Sequence, residues 1–385
     1  MLDELWRAAP ALKAALASEP LVLTESWQWR ALAQLMRAHA PSGGAGLPGG
    51  IADDIDALVA SIGLADRYLP RIGSTGNAGI WLGPDKPNVD LVIAAHMDRP
   101  SFRVSEIAAG TLYPICANRF PDHPLETSAK ALRFERERMI VGARGVIVSE
   151  RASGAEALRF RALEGELRWQ DTITIEAEPV LNDGEIRGTG LDNALGVLAA
   201  LGAAALLRAA EDDLIARNRR VLIVFTDQEE GNPAAFFGHG AARLAHAIEP
   251  PTVGAIIVDA QTALPDGPIA PGAGAAHGTI SSWGRGSIVP PNAVALALDL
   301  SEAINRARPG TVQINNGYIS RSDDLALSRW TQILALIGPP MRDAHTAYES
   351  AALADISSTI WWLVNYTGAA LALAPELARR YALFW

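Results

Sequence analysis

Several apolar runs in this sequence end close to a histidine or a carboxylate. These side chains are the best suited to chemistry, because imidazole and carboxylate groups together bind zinc and related metals. No cysteine accompanies them, which excludes a structural site built from thiolates. The runs, each with the side chains that follow it, are 91–95 with His96 and Asp98, 221–225 with Glu229 and Glu230, 255–258 with Asp259, and 333–337 with His345.

Asp192 adds a further carboxylate, in a turn that follows Gly190 and precedes a helical run. Two histidines and three carboxylates can hold two metal ions if one carboxylate bridges them. Metals about 3.5–4 Å apart share a water molecule, acidify it and stabilise the oxyanion formed by its attack. The residue types therefore predict a hydrolase with two divalent metal ions as cofactors. Zinc is the first choice, and cobalt and manganese accept the same ligands.

Each of these residues alone has an ordinary structural explanation. Two adjacent glutamates usually form a solvated face, Asp192 is suited to cap a helix, and Asp259 is suited to a turn. The combination favours a site, because four such coincidences occur in order at the ends of predicted strands. His277, in a Gly- and Ala-rich loop, is a weaker candidate for the border of that site.

Predicted strands alternate with predicted helices on both sides of residues 100–188. This alternation predicts an α/β fold, a three-layer catalytic domain with a mostly parallel sheet and helices on both faces. In such open sheets, ligands bind beyond the carboxyl ends of the strands. Residues that are far apart in the sequence are therefore expected to converge on one crevice.

Residues 100–188 have a different sequence pattern, in which short β-like runs are divided by Gly, Asp and Asn. Helical periodicity is weak there, so the segment predicts an inserted small β-barrel domain. The expected catalytic domain consists of residues 1–99 and 189–385.

The composition restricts the classes of partner. The net charge is −10 and no cluster of five or more basic residues is present, so nucleic acid is not an expected partner. The apolar stretch 360–373 contains polar residues and is shorter than the roughly 20 residues of a membrane span, so it predicts a buried terminal helix. A single cysteine, Cys116, and the acidic Asp3 and Glu4 where a secretory signal would be basic favour a cytoplasmic protein.

The motifs resemble those of the deblocking, or tetrahedral, aminopeptidases, whose relatives include bacterial glutamyl aminopeptidases. The similarity covers about residues 35–365 and includes the position of the inserted β domain. It implies a co-catalytic metallopeptidase acting on peptides. The motifs are Ala40-Pro-Ser-Gly, Gly76-Asn77, Ala95-His96-Met-Asp98, Gly190-Leu-Asp192-Asn, Gln228-Glu229-Glu230, Val258-Asp259 and His345-Thr-Ala-Tyr-Glu349.

The resemblance implies a role for each residue. Asp192 would bridge the two metals, and Glu229 would be the general base that takes a proton from the attacking water and passes it to the leaving amine. Asp98 would hold the imidazole of His96, as metal-bound histidines usually require. The terminal metal ligands would be His96, Glu230, Asp259 and His345.

Three neighbours of these residues depart from the family pattern. Arg99 stands where the family commonly has Glu, Asn193 where it has Asp, and Gly231 where it has Val. We expect such changes to shape the substrate pocket and the subunit contacts, so the preferred peptide stays open. A deacylase or amidohydrolase acting on a non-peptide or N-blocked substrate is the alternative function.

The resemblance also implies a homo-oligomer, because relatives form dodecamers built from dimers. The insert and neighbouring helices would lie at the contacts between subunits. This is an analogy at the level of the fold, and residues 381–385 are a further candidate for a contact.

Overall fold

The computed structural model describes residues 1–18, 20–115, 125–152, 155–231, 238–281, 286–318 and 321–383. Cys116 and residues 384–385 lie outside these ranges. The helices are α1 (Leu2–Ala8), α2 (Pro10–Ala17), α3 (Glu25–Arg37), α4 (Ile51–Ser61), α5 (Leu191–Ala209), α6 (Glu211–Ala216), α7 (His239–Leu244), α8 (Pro291–Ala307), α9 (Asp324–Leu327), α10 (Ala354–Ala372) and α11 (Ala374–Tyr381), with short 3₁₀ turns at Leu21–Leu23 and Ala65–Arg67.

A large sheet of eight strands forms the centre of the described structure. Its four middle strands are mutually parallel, and antiparallel pairings occur toward both edges. In spatial order the strands are β1 (Tyr68–Leu69), β2 (Ala78–Leu82), β12 (Val221–Thr226), β3 (Leu91–His96), β13 (Gly254–Val258), β17 (Ile333–Gly338), β15 (Ala275–Gly278) and β16 (Val312–Asn315).

The middle strands read as continuous apolar runs because every residue in them is buried. β3 and β12 are in register, so that His96 lies opposite Thr226 at their carboxyl ends. This places the residues that follow the two strands at one edge of the sheet. The predicted α/β class with a mostly parallel sheet is confirmed.

A closed barrel forms the second unit, and all its strand pairings are antiparallel. It has its own core, which includes Phe102, Ile147 and Ile173 and is separate from the large core around the sheet. The predicted inserted β barrel is therefore confirmed. Its strands are β4 (Phe102–Glu106), β5 (Thr111–Pro114), β6 (Leu125–Glu135), β7 (Arg138–Ala152), β8 (Ala155–Gly165) and β9 (Thr172–Ile175).

A small third sheet, which the sequence did not predict, flanks the carboxyl edge of the large one. The turn between its strands Pro340–Arg342 and Glu349–Ala352 carries His345. His345 itself has a positive φ of 66°. In spatial order the strands are β10 (Val180–Asn182), β11 (Glu185–Gly188), β19 (Glu349–Ala352), β18 (Pro340–Arg342) and β14 (Gln261–Thr262).

Two long apolar helices lie in the core. α5 packs against β3 and α10, and α10 also packs against β15. By length and composition α5 could cross a membrane, but 89% of its apolar window is buried inside the protein, as expected of a core helix. The helix α10 contains most of the predicted terminal stretch and is also buried along most of its length.

Candidate metal centre

His96 lies at the centre of the candidate site, at the last position of β3. It is buried, and its Nε2 atom lies 3.2 Å from Asp192 Oδ1, 3.4 Å from Asp259 Oδ1 and 3.9 Å from Glu229 Oε2. The topology explains this convergence, because β12, β3 and β13 are adjacent parallel strands that end at the same edge. Three segments that are distant in the sequence thus meet around one imidazole.

Asp98 ties the end of β3 to the glutamate pair. Its Oδ1 atom accepts the backbone N–H of Glu229 at 3.0 Å, and its Oδ2 atom accepts that of Glu230 at 3.2 Å. The imidazole of His96 is less closely tied to this carboxylate, since Nδ1 lies 3.7 Å from Asp98 Oδ1 and 3.2 Å from the Asp98 carbonyl oxygen. The carboxylate of Asp98 therefore shapes the turn that presents the glutamates.

Asp192 lies between the two histidines. One of its oxygens is 3.2 Å from His96 Nε2, and the other is 3.3 Å from His345 Nε2. His345 Nε2 also lies 3.4 Å from Glu230 Oε1. Asp192 and Asn193 precede the regular part of α5, because neither has helical dihedral angles. The carboxylate of Asp192 thus faces both His96 and His345.

The ligand atoms form two overlapping groups of three that share Asp192. His96, Asp192 and Asp259 form one group, and Asp192, Glu230 and His345 form the other. Within each group the candidate atoms lie within 4.8 Å of one another. A third group joins His96 to both glutamates. This buried cluster could bind metal.

Electrostatics support a cation at this place. Burial raises the pKa of Glu230 to about 7 and that of Glu229 well above its ordinary range. Asp259 Oδ1 is buried and lies 3.4 Å from His96 Nε2. So many packed carboxylates repel one another unless positive charge is placed among them. Histidine and carboxylate donors suit a divalent ion, so the residues fit the metal that the sequence predicted.

Glu349, the last residue of the motif that begins at His345, accepts hydrogen bonds from two backbone N–H groups beside the site. One oxygen accepts the backbone N–H of Leu191 at 2.7 Å, and the other accepts that of His345 at 3.0 Å. These two N–H groups belong to the segments that carry Asp192 and His345. A carboxylate four residues after the candidate ligand His345 is the available signal in the sequence, but only the fold shows that it reaches Leu191.

Two of the altered neighbours, Arg99 and Asn193, are buried beside the candidate site. The guanidinium group of Arg99 donates to the carbonyl oxygens of Leu35, Met36 and Ala38 at the end of α3. Asn193 is buried, donates to the Val258 carbonyl at 2.8 Å and accepts the Ala260 N–H at 3.1 Å. Both residues hold main-chain segments beside the site.

Gly231, the third altered neighbour, donates its backbone N–H to the Glu229 carbonyl oxygen at 2.7 Å. The residue that follows it, Asn232, lies outside the described ranges.

His277, which the sequence offers as a candidate for the border of the site, belongs to β15. Its ring is buried and lies 5.4 Å from that of Trp362. Burial alone lowers its pKa to about 4, with no contribution from a carboxylate. We conclude that His277 packs in the core and takes no part in the candidate site.

A family model agrees with this geometry. The model of the M42 glutamyl aminopeptidases matches residues 161–361, which is more than half of the chain. The chain belongs to the M42 glutamyl aminopeptidase family. It is therefore a peptide hydrolase, and the resemblance seen in the sequence is confirmed. No curated protein matches the chain.

Several solved structures have the same fold. A TET aminopeptidase from a marine sediment archaeon of the Thaumarchaeota has a TM-score of 0.71 at 18% identity, covering 92% of this chain and 98% of its own. An aminopeptidase from the archaeon Desulfurococcus kamchatkensis has a TM-score of 0.70 at 20% identity, with the same coverage of 92% and 98%. The TET1 peptidase of Pyrococcus horikoshii, which assembles into a tetrahedron or a large octahedral shell, has a TM-score of 0.66 at 15% identity and covers 88% and 98%.

Proposed function

We propose that the protein is an aminopeptidase that releases N-terminal residues from peptides with the help of two divalent metal ions. The observation that carries this proposal is the pair of ligand groups that share Asp192. Asp192 would bridge the ions, His96 and Asp259 would complete one site, and Glu230 and His345 would complete the other. Zinc suits these donors best, and cobalt or manganese would also bind.

The bound ions would polarise the peptide carbonyl group and make water a better nucleophile at neutral pH. Glu229 is the base that the geometry favours, because it belongs to neither of the two groups sharing Asp192 and yet lies 3.9 Å from His96. It would accept a proton from the water that attacks the carbonyl carbon. It would then donate that proton to the amine nitrogen as the C–N bond breaks.

The hydrogen bonds of Asp98 serve this step. Because Asp98 holds the N–H groups of both Glu229 and Glu230, the base and a metal ligand are fixed by the same carboxylate. Positioning of this kind lets the proton move without a rearrangement of the turn.

The proposal extends to the domains and the assembly. Residues 1–99 and 189–385 would form the catalytic domain, and residues 100–188 would control subunit contacts or substrate access. The tetrahedral and octahedral assemblies of the Pyrococcus peptidase support a homo-oligomer. Light scattering after size-exclusion chromatography that gave only the mass of one chain would contradict the oligomer without affecting the chemistry.

The decisive experiment is hydrolysis of a panel of amino-acid anilides and short peptides with free or acetylated N-termini. The protein is first stripped with a chelator and then supplied with zinc, cobalt or manganese. We expect turnover only with metal and only of substrates with a free amine. Turnover of acetylated substrates instead would contradict the aminopeptidase proposal and support a deacylase.

Glu229→Gln tests the assignment of the base. We expect this variant to bind metal like the wild type and to lose about 10²–10⁴-fold in kcat, because an amide cannot accept the proton. Glu249→Gln, at an exposed position, is the matched control and should keep full activity. Retention of turnover by Glu229→Gln would show that another group is the base.

A further inference from the structure

Tyr318 makes a contact with the site that no motif indicated. It follows β16 in the chain, and its side chain is almost completely buried. Its hydroxyl group donates a hydrogen bond of 3.0 Å to Asp259 Oδ2. A residue that follows the far edge strand of the large sheet thus reaches a carboxylate at the end of the central strand β13.

The bond distinguishes the two oxygens of Asp259. Oδ2 accepts the hydrogen bond from the Tyr318 hydroxyl, while Oδ1 lies 3.4 Å from His96 Nε2. Rotation of the carboxylate away from this orientation would break the bond to Tyr318. The hydroxyl therefore holds Oδ1 on the side of His96 and Asp192.

We propose that Tyr318 is a positioning residue for the metal held by His96, Asp192 and Asp259. This inference rests on the proposed function of the same cluster. By binding one oxygen of Asp259, Tyr318 directs the other oxygen toward the metal and favours coordination through that oxygen. Outer hydrogen-bond partners of metal ligands commonly change metal affinity by about 10–100-fold.

A purely structural role is the competing explanation, since a buried tyrosine hydroxyl needs a partner for its own sake. Tyr68 offers a comparison within the same chain. It is also buried and donates a bond of 3.1 Å, but to the backbone carbonyl oxygen of Ala52. Loss of either hydroxyl removes one buried hydrogen bond, and only the loss at Tyr318 affects a candidate ligand.

The test compares Tyr318→Phe with the control Tyr68→Phe in the full-length protein. Stepwise dissociation constants for zinc are measured by competition with a chelator, and the unfolding midpoint of the metal-free protein is measured separately. Asp259→Asn and Glu230→Gln identify which binding step belongs to which half of the site.

Asp259→Asn identifies the zinc-binding step that belongs to its half of the site. We expect Tyr318→Phe to raise the dissociation constant of that step by about tenfold or more and to leave the other step unchanged. Tyr68→Phe should leave both steps unchanged and lower only the unfolding midpoint. Unchanged zinc affinity in Tyr318→Phe, with a lowered midpoint, would overturn the inference and assign the bond to folding alone. If the wild type bound no zinc, the proposed function would fail instead, so the two failures are distinguishable.

Discussion

Two buried histidines in the same sheet have opposite surroundings. The candidate metal-site cluster around His96 contains Asp192, Glu229 and Asp259 within 4 Å of the ring. The His277 pocket has an aromatic neighbour, Trp362, and no hydrogen bond reaches either ring nitrogen within the described ranges. Both rings are almost completely inaccessible to solvent.

The effect on protonation is opposite as well. Burial disfavours the charged form of both rings, but at His96 the carboxylates, Glu229 first, outweigh burial and raise its pKa well above the ordinary value. At His277 burial acts alone and lowers the pKa to about 4. Burial of a histidine therefore does not indicate a site, and the charges that face the histidine decide its chemistry.

The largest expected effect separates the two histidines by function. His96→Leu should lose bound metal and at least about 10³-fold of activity, because it removes the imidazole that is proposed to hold the metal at the reacting carbonyl group. His277→Leu, the matched control, should keep both metal content and activity. Atomic absorption and anilide hydrolysis measure the two quantities. Equal losses in both variants would show that the comparison is wrong.

The second effect concerns stability and pH. The folded-state pKa of His277 is below its unfolded value of about 6.5, so below that pH the unfolded chain binds a proton that the folded chain does not. The free energy of unfolding should therefore fall as the pH decreases from about 6.5 to about 4, by up to about 3 kcal/mol.

His277→Leu removes this contribution, so its difference in stability from the wild type should change across that window. Denaturant unfolding of the metal-free proteins at pH 7 and pH 4.5 measures it. A constant difference between the two proteins would mean that His277 is protonated equally in both states.

The smallest effect tests how the metal-site cluster is held together. Glu349→Gln keeps the side-chain shape but replaces one of the two oxygens that accept the N–H groups of Leu191 and His345. Metal affinity should fall about tenfold, because both segments carry ligands.

Asp355→Asn is the control for this change, since Asp355 is buried and likewise accepts two backbone N–H groups, from Gly272 and Gly274. It should lower the unfolding free energy without changing metal affinity. If both variants had the same metal affinity, Glu349 would be a structural residue only.

The sequence predicted the candidate ligands that follow strands, because apolar runs that end in His or Asp mark the carboxyl edge of a parallel sheet. His96, Glu230 and Asp259 are examples, and the structure places them close together. Their roles as ligands stay a prediction.

Tyr318 and Glu349 could not be assigned in the same way. Each acts across the fold on a partner that is distant in the sequence, Asp259 and Leu191 respectively. Only the order of the strands brings these pairs together, and local patterns do not encode that order. The small sheet around His345 was missed for the same reason, since its strands are too short to give a periodic signal.

The order of the ligands along the chain has a consequence for biosynthesis. His96 comes early, and His345 follows it by well over half of the sequence. A growing polypeptide on the ribosome therefore has all eight described strands of the large sheet before it has the last of the five proposed ligands. A peptidase that needs all five proposed ligands would stay inert until His345 has been made, so most of its own translation would be complete before it could act.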